Sequence, residues 1–163
     1  MKIAVECYPD KVFVESLGFK ARHAMGKYRV LHLLKKGKMK LGLVDFDYGG
    51  DWMYDWKEVF PETRGFGFLV LKYKSCKLES WLICLVPRLE DFLIKCAREV
   101  GLNLKKFKLS EDPDELHSII SHEKQPYTYK LFLKELFKRS ERIKKLKGVI
   151  DSVLHSRMLG TKG

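Results

Sequence analysis

Three carboxylates lie where two short apolar segments of the chain end, and these residues have the types and spacing that could do chemistry. Glu6 closes the segment that begins at Lys2, while Asp45 and Asp47 close the segment that begins at Leu41. Acids at the carboxyl ends of buried strands sit where open α/β sheets bind ligands. Asp45 and Asp47 are two residues apart, so a strand would point both to one side. Carboxylates that converge repel each other, and a hard divalent cation such as Mg²⁺ (or Mn²⁺) would neutralise them.

The elements that must position these acids alternate between strand and helix. After the first strand, Pro9 and Asp10 predict a helix with proline in its first turn. A short strand over residues 20–24, a helix from Lys27 to Lys36 and a strand over residues 41–46 follow. This alternation favours a parallel α/β sheet with helices on both faces.

The second half of the chain is predicted to be mostly helical. Residues 48–65 are rich in glycine and aromatic residues and predict a long loop with one helical turn at most, and residues 67–73 and 80–86 predict a hairpin or strand pair. Apolar residues at helical spacing predict helices over residues 89–100, 129–137 and 143–153, and Asp112-Pro113 begins another. Residues 159–163 predict a frayed tail. We expect an α/β domain over residues 1–101 and a helical extension over residues 102–163 packed on it.

The charge of the chain favours an anionic partner. The 163 residues have a formal net charge of +11, and residues 20–40 contain eight Lys or Arg and no Asp or Glu. Nucleic acid, an acidic protein or a membrane surface would suit such a chain, although solubility alone is the simpler explanation. No run is long enough to span a membrane, and the first residues do not resemble a signal peptide, so we expect a cytoplasmic protein. The four cysteines are scattered and predict reduced thiols.

Two segments together resemble the Toprim domain, the catalytic module shared by topoisomerases and DnaG-type primases. They are residues 5–10, VECYPD, and residues 43–47, LVDFD; in the family one strand ends in Glu and a later strand ends in D-x-D. Gly26-Lys27 resembles the G-K of small Toprim nucleases, and residues 87–93, PRLEDFL, resemble a motif of the Toprim proteins related to OLD nucleases and RloB. The resemblance covers roughly residues 1–101. Cys7 replaces the usual glycine, and Gly49 stands where topoisomerases often have a third acid.

The resemblance implies a Toprim-like, Rossmann-like fold and metal-dependent cleavage of phosphodiester bonds in DNA or RNA. Asp45 and Asp47 would bind Mg²⁺ or Mn²⁺, and Glu6 would act as a general base or as a further metal ligand. Asp10 and Glu90 could complete a second metal site or orient water. The residues expected to contact the nucleic acid are Lys27, which would stabilise charge on the phosphate, Arg29, Lys35 and Lys36, which would hold the backbone, and Trp52, which with Tyr54 and Trp56 could stack on unpaired bases.

Each of these roles has a structural alternative. Glu6 and Asp10 could be a strand-end acid and a helix cap, and Asp45 and Asp47 could be turn acids. Glu90 could be an exposed acid in the first turn of a helix. Lys27 could be a solvated lysine. The aromatic residues of the 48–65 segment could form a small packed core under a loop.

The function also has alternatives of a different class. A catalytically inactive Toprim-like module could bind nucleic acid or a protein partner with its basic surface. Aspartates at a strand end also occur in phosphotransfer enzymes and phosphatases, but those of the haloacid-dehalogenase type would have their nucleophile near the first strand, and Glu6 does not fit. The chain has no G-x-x-x-x-G-K-[ST] motif, so an ATPase partner, as OLD-like nucleases use, would act in trans.

Overall fold

A six-stranded mixed β-sheet forms the centre of the protein, in a computed structural model that describes residues 1–75, 77–122 and 127–155. The strands are Lys2–Val5 (β1), Lys20–His23 (β2), Leu41–Asp45 (β3), Trp56–Val59 (β4), Phe68–Tyr73 (β5) and Trp81–Leu85 (β6), and their order in the sheet is β2-β1-β3-β6-β5-β4. β2, β1, β3 and β6 are parallel neighbours, whereas β5 is antiparallel to β6 and β4 is antiparallel to β5. β5 and β6 form the predicted hairpin, and the prediction of an all-parallel sheet is wrong because β5 and β4 are antiparallel to their neighbours. The connection between β5 and β6 is too short for a parallel crossover, which needs a dozen residues or more.

Helices cover both faces of this sheet, as the alternating pattern predicted. They are Tyr8–Ser16 (α1), Lys27–Lys35 (α2), Leu89–Glu99 (α3), Pro113–Ile120 (α4), Tyr127–Arg139 (α5) and Glu141–Leu154 (α6), with short 3₁₀ helices at Asp51–Asp55, Pro61–Phe66 and Leu104–Phe107. Local signals explain where several of them begin. Asp112 caps α4 by accepting a hydrogen bond from the Glu115 amide, and Pro113 occupies the first position of that helix. Among the described helices, none is both long enough and apolar enough to cross a membrane.

Each face of the sheet has its own hydrophobic core. On one face, alternate residues of β1, β3, β5 and β6, such as Val5 and Leu43, pack against α1 and α3 and against the helices α4, α5 and α6. The described residues between 102 and 154 therefore contribute to the same core as the sheet. The predicted tail at residues 159–163 lies outside the described residues.

On the other face, α2 packs directly on β3, and a glycine makes this close approach possible. A Cβ atom added at Gly42 would lie 2.6 Å from Cγ1 of Val30 and 2.9 Å from Cδ1 of Leu34. Since real Cβ contacts are not that short, a larger residue at this position would push α2 away from the sheet. The position of α2 matters because its first residue, Lys27, reaches the acidic strand ends.

The aromatic segment at residues 48–65 is more ordered than the predicted loop. It contains the 3₁₀ helix Asp51–Asp55, the edge strand β4 and most of a second 3₁₀ helix. Trp52 and Trp56 are buried in the core on the α2 face, while Tyr54 is exposed. The packed-core alternative therefore fits Trp52 and Trp56. A buried indole has no face open to a nucleic-acid base, so the structure does not support the predicted stacking role of Trp52.

Candidate active site

Glu6 and Asp45 contact each other across two neighbouring parallel strands. Glu6 directly follows β1, Asp45 ends β3, and these strands are hydrogen-bonded neighbours in the sheet. The backbone amide of Asp45 donates to Oε2 of Glu6 at 3.1 Å, and the backbone amide of Leu89 donates to Oδ1 of Asp45 at 2.8 Å. The two predicted strand-end acids thus meet at one place, next to the first turn of α3.

Asp47 is at the same end of the sheet but points in a different direction from Asp45. β3 ends at Asp45, and the backbone of Asp47 has a φ of 54°, in the left-handed region. Its amide donates to the carbonyl of Pro87 at 2.8 Å, and its Oδ2 accepts a hydrogen bond from Nζ of Lys27 at 2.7 Å. Asp45 therefore faces α3 and Asp47 faces α2. The expectation that a strand points both acids to one side is wrong because the strand does not extend to Asp47.

The Lys27 side chain is mostly buried and its charge is neutralised by the acids. Its side chain is only 13% exposed and forms the ion pair with Asp47, while its ammonium lies 5.7 Å from the ring centre of Trp52. Burial opposes the charge of Lys27, but the hydrogen bond to Asp47 and the attraction of Glu6 outweigh it, so the pKa of Lys27 is raised. The solvated-lysine alternative does not describe this side chain.

Asp10 is completely buried behind Glu6 and Asp45 and acts as part of a helix cap. Its Oδ2 accepts hydrogen bonds from the backbone amide of Cys7 at 3.3 Å and from the Cys7 thiol at 2.9 Å. Its Oδ1 is also buried and has no hydrogen-bond partner among the described residues. The helix-cap alternative thus corresponds to the observed contacts of Asp10.

Glu90 is buried as well, and it has a partner that the sequence did not suggest. The alternative of an exposed first-turn acid is wrong, since Glu90 is 3% exposed. Its Oε1 lies 2.7 Å from Nδ1 of His117, whose side chain is half-exposed. His117 comes from α4, and nothing in its sequence neighbourhood distinguishes it from a surface histidine. Only the packing of α4 on α3 brings it to the site.

Burial, together with repulsion among the acids, raises the pKa values of three acids in the cluster. Burial is the main cause of a raised pKa for Glu6, Asp10 and Asp45. For Asp45, burial followed by repulsion from Glu6 and Glu90 raises the pKa to about 8, although the hydrogen bond from the Leu89 amide opposes the shift. Repulsion from Asp45 adds to the rise for Asp10. A cluster of this kind gains stability from any bound proton or cation.

The donor atoms of the cluster fit a hard cation, but the acids are also partnered within the chain. Glu6, Asp45 and Asp47 offer only carboxylate oxygens, which Mg²⁺ and Mn²⁺ prefer. Over residues 1–75, 77–122 and 127–155, no group of three or more His, Cys, Asp or Glu side chains is arranged so that it could hold a metal ion. Backbone amides and Lys27 instead occupy one oxygen of each of the three acids.

The remaining predicted nucleic-acid contacts lie on α2. Arg29 and Lys36 are exposed, whereas Nζ of Lys35 forms an ion pair with Asp55 at 2.7 Å. Lys27 is on the same helix, so α2 links the basic surface to the acidic cluster. A phosphate chain that follows α2 towards its first turn would arrive at Asp47.

Together, the fold and the site define an α/β protein with a mixed six-stranded sheet and a cluster of acids at the carboxyl ends of its parallel strands. Such strand ends are where open α/β sheets bind their ligands. Comparisons with protein-family models, with curated proteins and with solved structures find no match to this chain. The function must therefore be argued from the chemistry of the site itself.

Proposed function

We propose that the protein is a Mg²⁺- or Mn²⁺-dependent hydrolase of phosphodiester bonds in nucleic acid, with a Toprim-like, Rossmann-like arrangement of its parallel strands. The contact between Glu6 and Asp45 is the observation that supports this proposal most. A Toprim-like site needs the strand that ends in Glu beside the strand that ends in D-x-D. β1 and β3 are such neighbours, and the backbone amide of Asp45 donates a hydrogen bond to the Glu6 carboxylate at 3.1 Å. Asp47 and Lys27 lie beside this pair.

In this proposal, Asp45 and Asp47 would hold the cation, and Glu6 would act either as a further ligand or, where it is not a ligand, as the general base. When bound, the cation would polarise a phosphate oxygen and lower the pKa of a water molecule. The raised pKa of Glu6 suits a general base, because a carboxylate with a pKa nearer to neutral accepts a proton from water more readily. Lys27 would stabilise negative charge on the phosphate, and for this its ammonium must turn from Asp47 towards the substrate.

The polymer would be held by its backbone charges. Arg29, Lys35 and Lys36 would contact phosphates along α2, which gives affinity without a preference for particular bases. The buried Glu90 pairs with the half-exposed His117 beside the acids, and we assign this pair to positioning rather than to a second metal site. Asp10 is likewise assigned to the cap of α1.

A cleavage assay with a matched pair of variants tests the proposal. Labelled single- and double-stranded DNA and RNA would be incubated with Mg²⁺, Mn²⁺ or EDTA. Asp45→Asn should lower the cleavage rate about 100-fold or more, the size expected when a preorganised charged group is lost from an active site. Asp151→Asn is the control. Asp151 is near the end of α6. The carbonyl of Leu154, the last residue of that helix, accepts a hydrogen bond from Lys40, which directly precedes β3. This end of α6 is therefore at the opposite end of β3 from the acids.

The outcomes of this assay are distinct. Cleavage by the wild type and by Asp151→Asn, with none by Asp45→Asn, would support the proposal and show which polymer is preferred. If Asp45→Asn cleaves as fast as the wild type, the assignment of the site is wrong. Fluorescence anisotropy in EDTA would show whether each variant still binds nucleic acid, so that a loss of binding is not mistaken for a loss of chemistry.

A second function, a catalytically inactive binding module, is favoured by one observation. The acids already have partners within the chain, namely Lys27 and the amides of Asp45 and Leu89. In such a module these contacts would be structural and the basic surface would bind nucleic acid or an acidic protein. A wild type that binds nucleic acid tightly in a salt-sensitive way, but cleaves none of the four substrates with either metal, would establish this alternative.

A further inference from the structure

A basic cleft opens at the carboxyl end of β2, one strand away from Glu6. Its volume is ≈ 530 Å³, and it is lined mainly by Arg22, His23, Met25, Tyr28, Arg29 and His32. Two backbone hydrogen bonds join the edge of the cleft to β1: the amide of Ala24 donates to the carbonyl of Val5 at 2.8 Å, and the amide of Gly26 donates to the carbonyl of Glu6 at 3.0 Å. The cleft and the acidic cluster therefore share the segment that leads into α2.

The charges that line the cleft are not neutralised by the chain itself. The lining contains no Asp or Glu. Four arginines elsewhere (Arg64, Arg88, Arg139 and Arg142) bind a carboxylate. Arg22 and Arg29 are exposed, and no ion pair within the described part of the chain includes either of them. Two guanidinium groups without a protein partner are well suited to phosphate, because their planar donor geometry matches its oxygens.

The cleft also presents an aromatic ring to solvent. Tyr28 is 74% exposed, although tyrosine has a large apolar surface. His23 lines the same cleft, and its ring contacts the ring of Tyr8, with the two ring centres 4.3 Å apart. Exposed aromatic rings next to a basic groove are what proteins use to bind single-stranded nucleic acid, since every base can stack on them.

The backbone at the cleft is in an unfavourable conformation. Met25 has a φ of 62° and is followed by Gly26 with a φ of 122°. A methionine rarely adopts the left-handed region, and such residues cluster at binding and active sites. Met25 is also largely exposed, so no core packing accounts for its conformation. Met25 and Tyr28, which flank this turn, both line the cleft.

We propose that this cleft holds one unpaired nucleotide of the substrate strand, with the base on Tyr28 and the phosphate between Arg22 and Arg29. Its volume is within the range of small-ligand sites. The next phosphodiester along the strand would then lie near Glu6 and Asp45. Bases in a duplex are paired and stacked, so this cleft makes the protein selective for single strands. The inference rests on the proposed function for its choice of nucleic acid as the substrate.

Binding measured without divalent metal separates this inference from the cleavage chemistry. Fluorescence anisotropy in EDTA would use a labelled DNA and RNA single strand of about 16 nucleotides and the matching duplexes. Tyr28→Ala should weaken binding of the single strands by roughly 5- to 150-fold, as expected for the loss of one stacking ring, and should change duplex binding less than about two-fold. Tyr127→Ala is the control, because Tyr127 on α5 is equally exposed at 74% but lies outside the cleft.

The arginines give an independent measurement. The double variant Arg22→Ala/Arg29→Ala should lower single-strand affinity and flatten the dependence of log affinity on log salt by about 0.7, since the two arginines hold one phosphate and each neutralised phosphate contributes about 0.7 for a single strand. Tyr28→Ala should leave that salt dependence unchanged.

Three results would overturn the proposal. Unchanged single-strand binding by Tyr28→Ala would remove the stacking role. An equal loss for single strands and duplexes would show a backbone contact without a nucleotide pocket. An unchanged salt dependence in the arginine variant would show that the cleft does not bind phosphate. A protein that shows the expected binding pattern but no cleavage would instead refute the proposed hydrolase and leave the cleft assignment intact.

Discussion

Replacing Asp45 by asparagine should make the protein more stable at alkaline pH. The substitution keeps the shape of the side chain and an oxygen that can accept the Leu89 amide, but it removes the charge that faces Glu6 and Glu90. In the wild type, burial followed by repulsion from these two acids raises the pKa of Asp45 to about 8 from its ordinary value of 3.8. Between these values the folded state keeps a proton that the unfolded state has released. The stability of the wild type therefore falls as the pH rises through this window.

The size of the effect follows from the shift in pKa. One pKa unit corresponds to about 1.36 kcal/mol, so the wild type should lose roughly 4 kcal/mol of its free energy of unfolding between about pH 5 and pH 8. Above about pH 8 the carboxyl group is ionised in both states, and the loss no longer grows. Asp45→Asn lacks this source of pH dependence. Its advantage over the wild type should be small near pH 4 and greatest at pH 8 and above.

Urea unfolding followed by tryptophan fluorescence measures this difference. Trp52, Trp56 and Trp81 are all buried and will report the loss of structure. With a slope of about 2 kcal/mol per molar urea, the unfolding midpoint of the wild type should fall by roughly 2 M relative to Asp45→Asn between pH 5 and pH 8. Asp151→Asn should follow the wild type throughout. If the midpoints of Asp45→Asn and the wild type stay parallel from pH 5 to pH 9, the raised pKa of Asp45 is wrong.

Three further changes test the metal, the ion pair and the packing. At pH 8, Mg²⁺ at about one hundred times its dissociation constant should stabilise the wild type by about 2.7 kcal/mol, and it should stabilise Asp45→Asn much less. If Mg²⁺ raises the melting temperature of both proteins equally, Asp45 is not a ligand. Lys27→Met removes the cationic partner of Asp47. The variant should cleave about 100-fold more slowly and lose stability more steeply at high pH. Unchanged kinetics would contradict the role of Lys27 at the phosphate. Gly42→Ala should lower the free energy of unfolding by about 1–3 kcal/mol in urea titrations, because the added Cβ would lie 2.6 Å from Val30 Cγ1. An unchanged unfolding midpoint would contradict this contact between α2 and β3.

Features that depend on local sequence could be predicted well. Pro9 in the first turn of α1 and Asp112 before Pro113 of α4 set helix starts through nearby backbone groups, and both helices begin where these residues predict. The strands β1 and β3 are short apolar runs that end in acids, and they form as predicted. These signals involve residues a few positions apart, so one sequence contains them in full.

Features that depend on distant contacts could not be predicted in the same way. The edge strand β4 lies in a stretch rich in glycine, proline and aromatic residues, and only its pairing with β5 makes it a strand. The left-handed backbone of Asp47 is fixed by its hydrogen bond to Pro87, 40 positions along the chain. The partner of Glu90 was missed for the same reason, since His117 is 27 residues away on another helix.

The balance of charge at the site connects the two proposed functions. Lys27 is the cation that the chain itself supplies to Asp47, and it lies at the first turn of the same helix that carries the basic surface. A phosphate arriving along α2 would draw the ammonium away from Asp47 and expose a carboxylate beside Glu6 and Asp45. The repulsion among these acids would then increase, and so would their affinity for a divalent cation. A site whose acids have partners within the chain before the substrate binds is therefore compatible with a hydrolase that binds its metal more tightly once the substrate is present, and a binding module would show no such coupling.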